Sequence, residues 1–117
     1  MRSILHAIIV MLALINSTVP GMAHATLVRA EPAAGSKVAI SPKELRLTFS
    51  ETIDSASAKV TGRGGRAIAT GPARMDDAVL ILPLSAPLAP GVYRVEWQVT
   101  TTDTHKRSGR LSFEVAR

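Results

Sequence analysis

Cysteine is absent from all 117 residues. That absence excludes disulfide staples, thiolate chemistry and lipid attachment through a cysteine at a processed N-terminus. A small exported domain without disulfides must draw its stability from packing, or from packing helped by a bound metal. Aromatic residues are scarce, with one Trp, one Tyr and two Phe. Basic residues outnumber acidic ones, 14 to 9, for a formal net charge of +5, but they are scattered and form no run. A nucleic-acid binder needs clustered positive charge and stacking aromatics, so nucleic acid is not an expected partner. Histidine occurs three times, as His6, His24 and His105.

Long apolar runs are missing as well. The run from Ile4 to Ile15, broken by His6, falls short of the roughly 20 apolar residues a bilayer span requires. Arg2 precedes it, and Asn16, Ser17, Thr18, the helix breaker Pro20 and the small residues Gly21 and Ala23 follow. This is the layout of a secretory signal peptide, and an uncleaved N-terminal anchor is the alternative. Two cuts are open. One falls after Ala23 and leaves His24 first; the other uses the A-x-A triplet Ala23-His24-Ala25 and leaves Thr26 first. In either case the remainder is one small domain, residues 24–117 under the first cut, with no membrane span in it.

That remainder reads as all-β. Thr26 to Glu31 is a short strand candidate ending at Pro32. Leu45, Leu47 and Phe49 alternate with Arg46, Thr48 and Ser50, the period of a half-buried strand. Ala58 and Val60 belong to a strand that stops at Gly62. Gly64-Gly65 suggests a hairpin turn, with Ala67 to Thr70 as the returning strand. The apolar run Val79 to Leu82 ends at Pro83. Tyr93, Val95, Trp97 and Val99 alternate with Arg94, Glu96 and Gln98 in the longest strand, and Leu111, Phe113 and Val115 do so in the last. The alternation assigns Trp97 to the core. About seven strands divided by Pro and Gly turns predict a Greek-key β-sandwich, with a small barrel as the other architecture. Gly62-Arg63-Gly64-Gly65-Arg66 has no helix after it, so it is not a phosphate loop.

The residues able to carry chemistry are few. Asp103 and His105 stand two apart in Thr101-Thr102-Asp103-Thr104-His105. In an extended segment residues i and i+2 project to one side, so both side chains can face one metal. Taken alone, the triplet is weak and better fits an exposed polar loop between two strands. His24 adds weight if it is the mature N-terminus. A terminal histidine offers an amine and a ring nitrogen that close a six-membered chelate. With the His105 ring and the Asp103 carboxylate, the donor set is three nitrogens and one oxygen. Tetragonal nitrogen and oxygen donors suit Cu(II), which heads the divalent affinity order. No histidine is then left to act as base for a serine nucleophile.

The ordered series His24-Ala-Thr-Leu-Val, Glu31-Pro32-Ala-Ala-Gly35, Ser41-Pro42-Lys43-Glu44-Leu45 and Leu47-Thr48-Phe49-Ser50-Glu51 resembles the start of CopC-type periplasmic copper-resistance proteins. Pro87 to Trp97, Thr102-Asp103-Thr104-His105, Ser108-Gly109 and Phe113 continue the resemblance over nearly all of the chain after the signal. It implies an immunoglobulin-like β-sandwich and a periplasmic carrier or buffer of one Cu(II) per chain. It also implies His24, Asp103 and His105 as copper ligands, and therefore the cut after Ala23. Glu51 matches an acidic position near the copper and is a candidate for orienting a ligand. Lys106 replaces the proline that many relatives carry after the histidine, which bears on the loop's shape. Met75 is the only methionine after the signal, so the methionine-rich Cu(I) loop of some members is not expected. Other members are fused to a membrane domain; here an inner-membrane copper importer of CopD type would be a separate partner. Two other classes stay open. One is an oxidative copper enzyme of histidine-brace type, which would want exposed aromatics. The other is a metal-free interaction sandwich.

Overall fold

The computed structural model describes residues 26–117. Eight strands follow in order: β1 (Leu27–Glu31), β2 (Lys37–Val38), β3 (Glu44–Phe49), β4 (Ile53–Thr61), β5 (Arg74–Asp76), β6 (Val79–Pro83), β7 (Gly91–Thr101) and β8 (Lys106–Val115). They make two four-stranded sheets, in the orders β1-β3-β6-β5 and β2-β8-β7-β4. β3 lies beside β6 although β4 and β5 intervene in sequence, which is a Greek-key crossing. The expected all-β sandwich is the observed fold.

Period-two alternation explains why the sheets face each other. β3 buries Leu45, Leu47 and Phe49 and leaves the residues between them part-exposed. β7 buries Tyr93, Val95, Trp97, Val99 and Thr101 on one face, and β8 buries Leu111, Phe113 and Val115. These side chains form one core with Leu80 and Leu82 of β6 and with Ile53 and Val60 of β4. Each large apolar side chain removed from water contributes about 1.5–3 kcal/mol before entropy is counted. Aromatic pairs join the two layers and neighbouring strands of one layer. Phe49 of one sheet meets Trp97 of the other edge to face, with centroids 4.9 Å apart, and Tyr93 stacks on Phe113 at 5.7 Å. The Tyr93 hydroxyl donates to the Ala89 carbonyl just before β7 and fixes the entry to that strand. Trp97 is core, as the alternation required. Its partner across the β7–β8 ladder is Gly109, which leaves room for the indole.

Three local expectations are corrected. Ala67 to Thr70 does not return as a strand. Gly64 and Gly65, both at positive φ, form a 3-10 turn instead of a two-residue hairpin. The chain then bridges Thr61 at Ala67 and Leu84 at Thr70, so it crosses from one sheet to the other within four residues. Two strands are too short to show a readable period. β2 is two residues long and pairs in parallel with β8, and β5 is exposed at all three positions. The strand around Val60 starts earlier than expected, at Ile53.

Candidate metal centre

The loops at one end of the sandwich are tied together by backbone bonds. The segment Ser50–Thr52 between β3 and β4 is the hub. Ser50 N donates to Thr26 O at 2.9 Å, and Thr26 N donates back to Ser50 Oγ at 2.9 Å. On the other side Thr102 N donates to Thr52 O at 3.2 Å. Below it, Thr52 Oγ1 donates to Asp77 Oδ1 at 2.6 Å, and Ile53 N to Asp77 O at 2.9 Å. The first described residue and the β7–β8 hairpin therefore share one short segment, although more than seventy positions separate them in sequence.

The hairpin tip carries Asp103 and His105. Thr104 N donates to Thr101 O, and Thr101 N to His105 O, both at 2.9 Å. Thr104 adopts φ 69°. This is the three-residue hairpin in which a turn is followed by one left-handed residue. Glycine or asparagine usually takes that position, and a β-branched threonine there is strained. The two candidate ligands meet because the chain bends here. The reason is therefore the turn, not the common face of an extended segment. His105 Nδ1 stands 3.1 Å from Asp103 Oδ2, and both side chains are about half exposed.

Thr101 supports the pair from beneath. It is the inward residue at the end of β7, 1% exposed, and the one buried polar residue among those described. Its hydroxyl donates to Asp103 Oδ1 and also lies 3.3 Å from His105 O. The carboxylate is thus held at both oxygens, Oδ1 by Thr101 and Oδ2 by His105. The Thr101 hydroxyl lowers the Asp103 pKa, His105 lowers it further, and partial desolvation opposes both. Hydrogen bonds to the charged form favour it.

Among the described residues no group of three His, Cys, Asp or Glu side chains is gathered to hold a metal. Asp103 and His105 are brought together as a pair. Glu51 is half-buried on the hub segment, next to Thr52, and does not join them as a third donor. His24 and residues 1–23, expected to be a signal peptide, lie outside the described residues with either cut. Thr101 was not foreseen. The available signal was a polar residue continuing the inward phase of Tyr93, Val95, Trp97 and Val99, two residues before an aspartate. The observed 3.1 Å separation of Asp103 and His105 is that of a hydrogen-bonded imidazole–carboxylate pair.

Fold and site define a small all-β sandwich that presents a carboxylate and an imidazole on the loops at one end. Residues 27–116 match the family model described as the CopC domain, and the chain belongs to that family. Protein YobA of Escherichia coli K12 is 40% identical over 98 residues, covering 80% of this chain and 79% of the relative. Copper resistance protein C of Escherichia coli is 33% identical over 106 residues, covering 80% and 82%. The crystal structure of CopC from Methylosinus trichosporium OB3b superposes with a TM-score of 0.74 at 31% identity, over 80% of this chain and 94% of that one. PcoC of Escherichia coli, described as a methionine-rich copper resistance protein, does so with a TM-score of 0.71 at 30% identity, over 79% and 98%.

Proposed function

We propose that this protein is a periplasmic carrier or buffer of Cu(II) in copper homeostasis and resistance, and that each chain holds one ion. The donors are the amine and ring of His24, the Asp103 carboxylate and the His105 ring. The observation that carries the reading is the shared hub. Thr26 and Thr102 are both bonded to Ser50–Thr52, and two residues of chain reach at most about 7 Å. In this reading the chain begins at His24, and the two residues before Thr26 carry the terminal amine and ring to the Asp103–His105 pair. The two relatives named copper resistance protein C and PcoC support copper as the cargo. Nitrogen and oxygen donors in a tetragonal set favour the divalent ion.

Three further parts belong to the proposal. Residues 1–23 are a signal peptide cleaved after Ala23. Glu51, on the hub, orients a ligand rather than binding copper itself. A separate inner-membrane importer of CopD type receives the ion. The role is binding and hand-off, with no turnover.

Intact mass of the exported protein tests the start. A chain beginning at Thr26 loses the bidentate terminal histidine and refutes the site. Cu(II) titration against a chelator of known strength, followed by paramagnetic resonance, tests the donors. The expected result is one ion per chain with nitrogen couplings. His105→Ala should weaken binding far more than Lys43→Ala or Arg63→Ala, and an unchanged spectrum in H105A rules the assignment out.

A further inference from the structure

Asparagine and aspartate side chains have a broad torsion next to the carboxyl or amide plane, because it joins a tetrahedral to a planar carbon. An aspartate on an exposed turn therefore presents its oxygens in no fixed direction unless something pins it. Asp103 is half exposed and sits on such a turn. One of its oxygens receives the hydroxyl of Thr101, a side chain that is itself 1% exposed.

The anchor is better fixed than the group it holds. Thr101 is locked by its backbone, since its N–H goes to His105 O and its carbonyl receives Thr104 N–H. Its β-branched side chain has restricted χ1 freedom and is packed at the end of the inward row of β7. The hydroxyl has one proton and two oxygen neighbours, Asp103 Oδ1 and, at 3.3 Å, His105 O. The charged acceptor makes the stronger bond. With Oδ1 taken from below, Oδ2 is left facing His105 Nδ1.

We propose that Thr101 is a positioning residue for copper binding. Its buried hydroxyl sets the rotation of the Asp103 carboxylate, so that one oxygen is presented beside the His105 ring before any ion arrives. The inference rests on the Cu(II) reading above. It assigns to the core of the sandwich a part in the affinity of a surface site, through one hydroxyl rather than through folding. Outer partners of metal ligands commonly contribute about 10–100-fold in affinity.

The test compares wild type with Thr101→Val, Thr101→Ser, Asp103→Ala and the double variant T101V/D103A. Each is measured for Cu(II) affinity by chelator competition, for the paramagnetic resonance of the loaded protein, and for melting of the metal-free protein. T101V keeps the shape of threonine and removes the hydroxyl, so it should bind about 10–100-fold more weakly with an altered resonance spectrum. T101S should restore both. In the D103A background T101V should cause no further loss, because the group it positions is gone. Thr101→Ala carries the same expectation should T101V fail to fold. Wild-type affinity and spectrum in T101V overturn the inference and leave the copper reading standing. So does a loss of equal size with and without Asp103, or one explained by a matching fall in melting temperature. A wild-type protein that takes up no Cu(II) overturns the copper reading, and the inference with it.

Discussion

Gly109 should tolerate no side chain, and the size of the penalty follows from its neighbour. A Cβ built at Gly109 would stand 2.4 Å from Trp97 Cζ2, 2.9 Å from Cε2 and 3.0 Å from Cη2. The indole cannot simply swing away, because it is 8% exposed and held edge to face against Phe49 at 4.9 Å. Gly109→Ala therefore forces a core aromatic off its position, at a cost of about 1–3 kcal/mol. Replacing glycine within a strand regains roughly 0.5–1 kcal/mol of backbone entropy, so the net loss is on the order of 1–2 kcal/mol. For a domain of this size each kcal/mol moves the midpoint by about 4–8 °C, so the metal-free G109A protein should melt about 4–16 °C below wild type. Trp97 is the only tryptophan, and its emission should shift as the ring moves. Trp97→Phe in the same chain supplies the control. The smaller ring relieves the overlap, so G109A should cost less in that background, and the two sites should couple. Unchanged melting and emission in G109A, or strictly additive losses, would refute the packing argument.

Three other outcomes are expected. Thr104→Asn should raise stability by about 1 kcal/mol, because asparagine accepts the left-handed backbone that strains threonine; a lower melting temperature would show that the turn is not strained. In the metal-free protein the Asp103 carboxyl, followed by carbon NMR, should titrate below the usual carboxylate range, chiefly because the Thr101 hydroxyl bonds its ionised form. Its folded pKa is depressed, so the stability it contributes is present above the unfolded carboxylate range and is lost as pH falls through the lowered value; titration at or above the usual value contradicts the hydrogen bond. Cu(I), which prefers sulfur ligands, should be held more weakly than Cu(II) in chelator competition. Met75→Ala should change neither affinity, and Cu(I) retention that depends on Met75 would reassign the site.

The parts of the fold that were legible in the sequence are those that bury alternate residues. β3, β7 and β8 place large apolar side chains at alternate positions, from Leu45 to Phe49, Tyr93 to Val99 and Leu111 to Val115, the pattern of a half-buried strand. β2 escaped notice because two residues are too short to show a period, and β5 because it has no buried side chain to mark it. Ala67 to Thr70 misled for the opposite reason. Its small apolar residues suit a strand, but the bridges at its two ends belong to different sheets. Ile81 carries a subtler ambiguity. It is buried yet lies outside the main core, between its cross-strand neighbours Arg46 and Arg74, whose long stems can cover apolar surface. A continuous run such as Val79 to Leu82 does not say which of its residues faces the other sheet. At the site, the spacing of Asp103 and His105 was legible, and the turn that joins them was not. Thr104 stands where the turn favours glycine or asparagine, so the residue that would have announced the turn is missing. Thr101 continues the inward phase of Tyr93 to Val99, but its polarity and the threonines around it masked that signal.

The parallel pairing of β2 with β8 bears on the order in which the molecule assembles. β8 is an interior strand of its sheet, flanked by β2 and β7, and it is the last of the eight to leave the ribosome. Until it arrives, β2 has no ladder to join and β7 is open along one side. β4 and β7 can pair before it arrives, but the sheet is completed only by β8, and contacts between such distant parts of a chain form slowly, on the scale of milliseconds to seconds. A chain still lacking β8 can therefore complete the sheet β1-β3-β6-β5 but not the one that faces it.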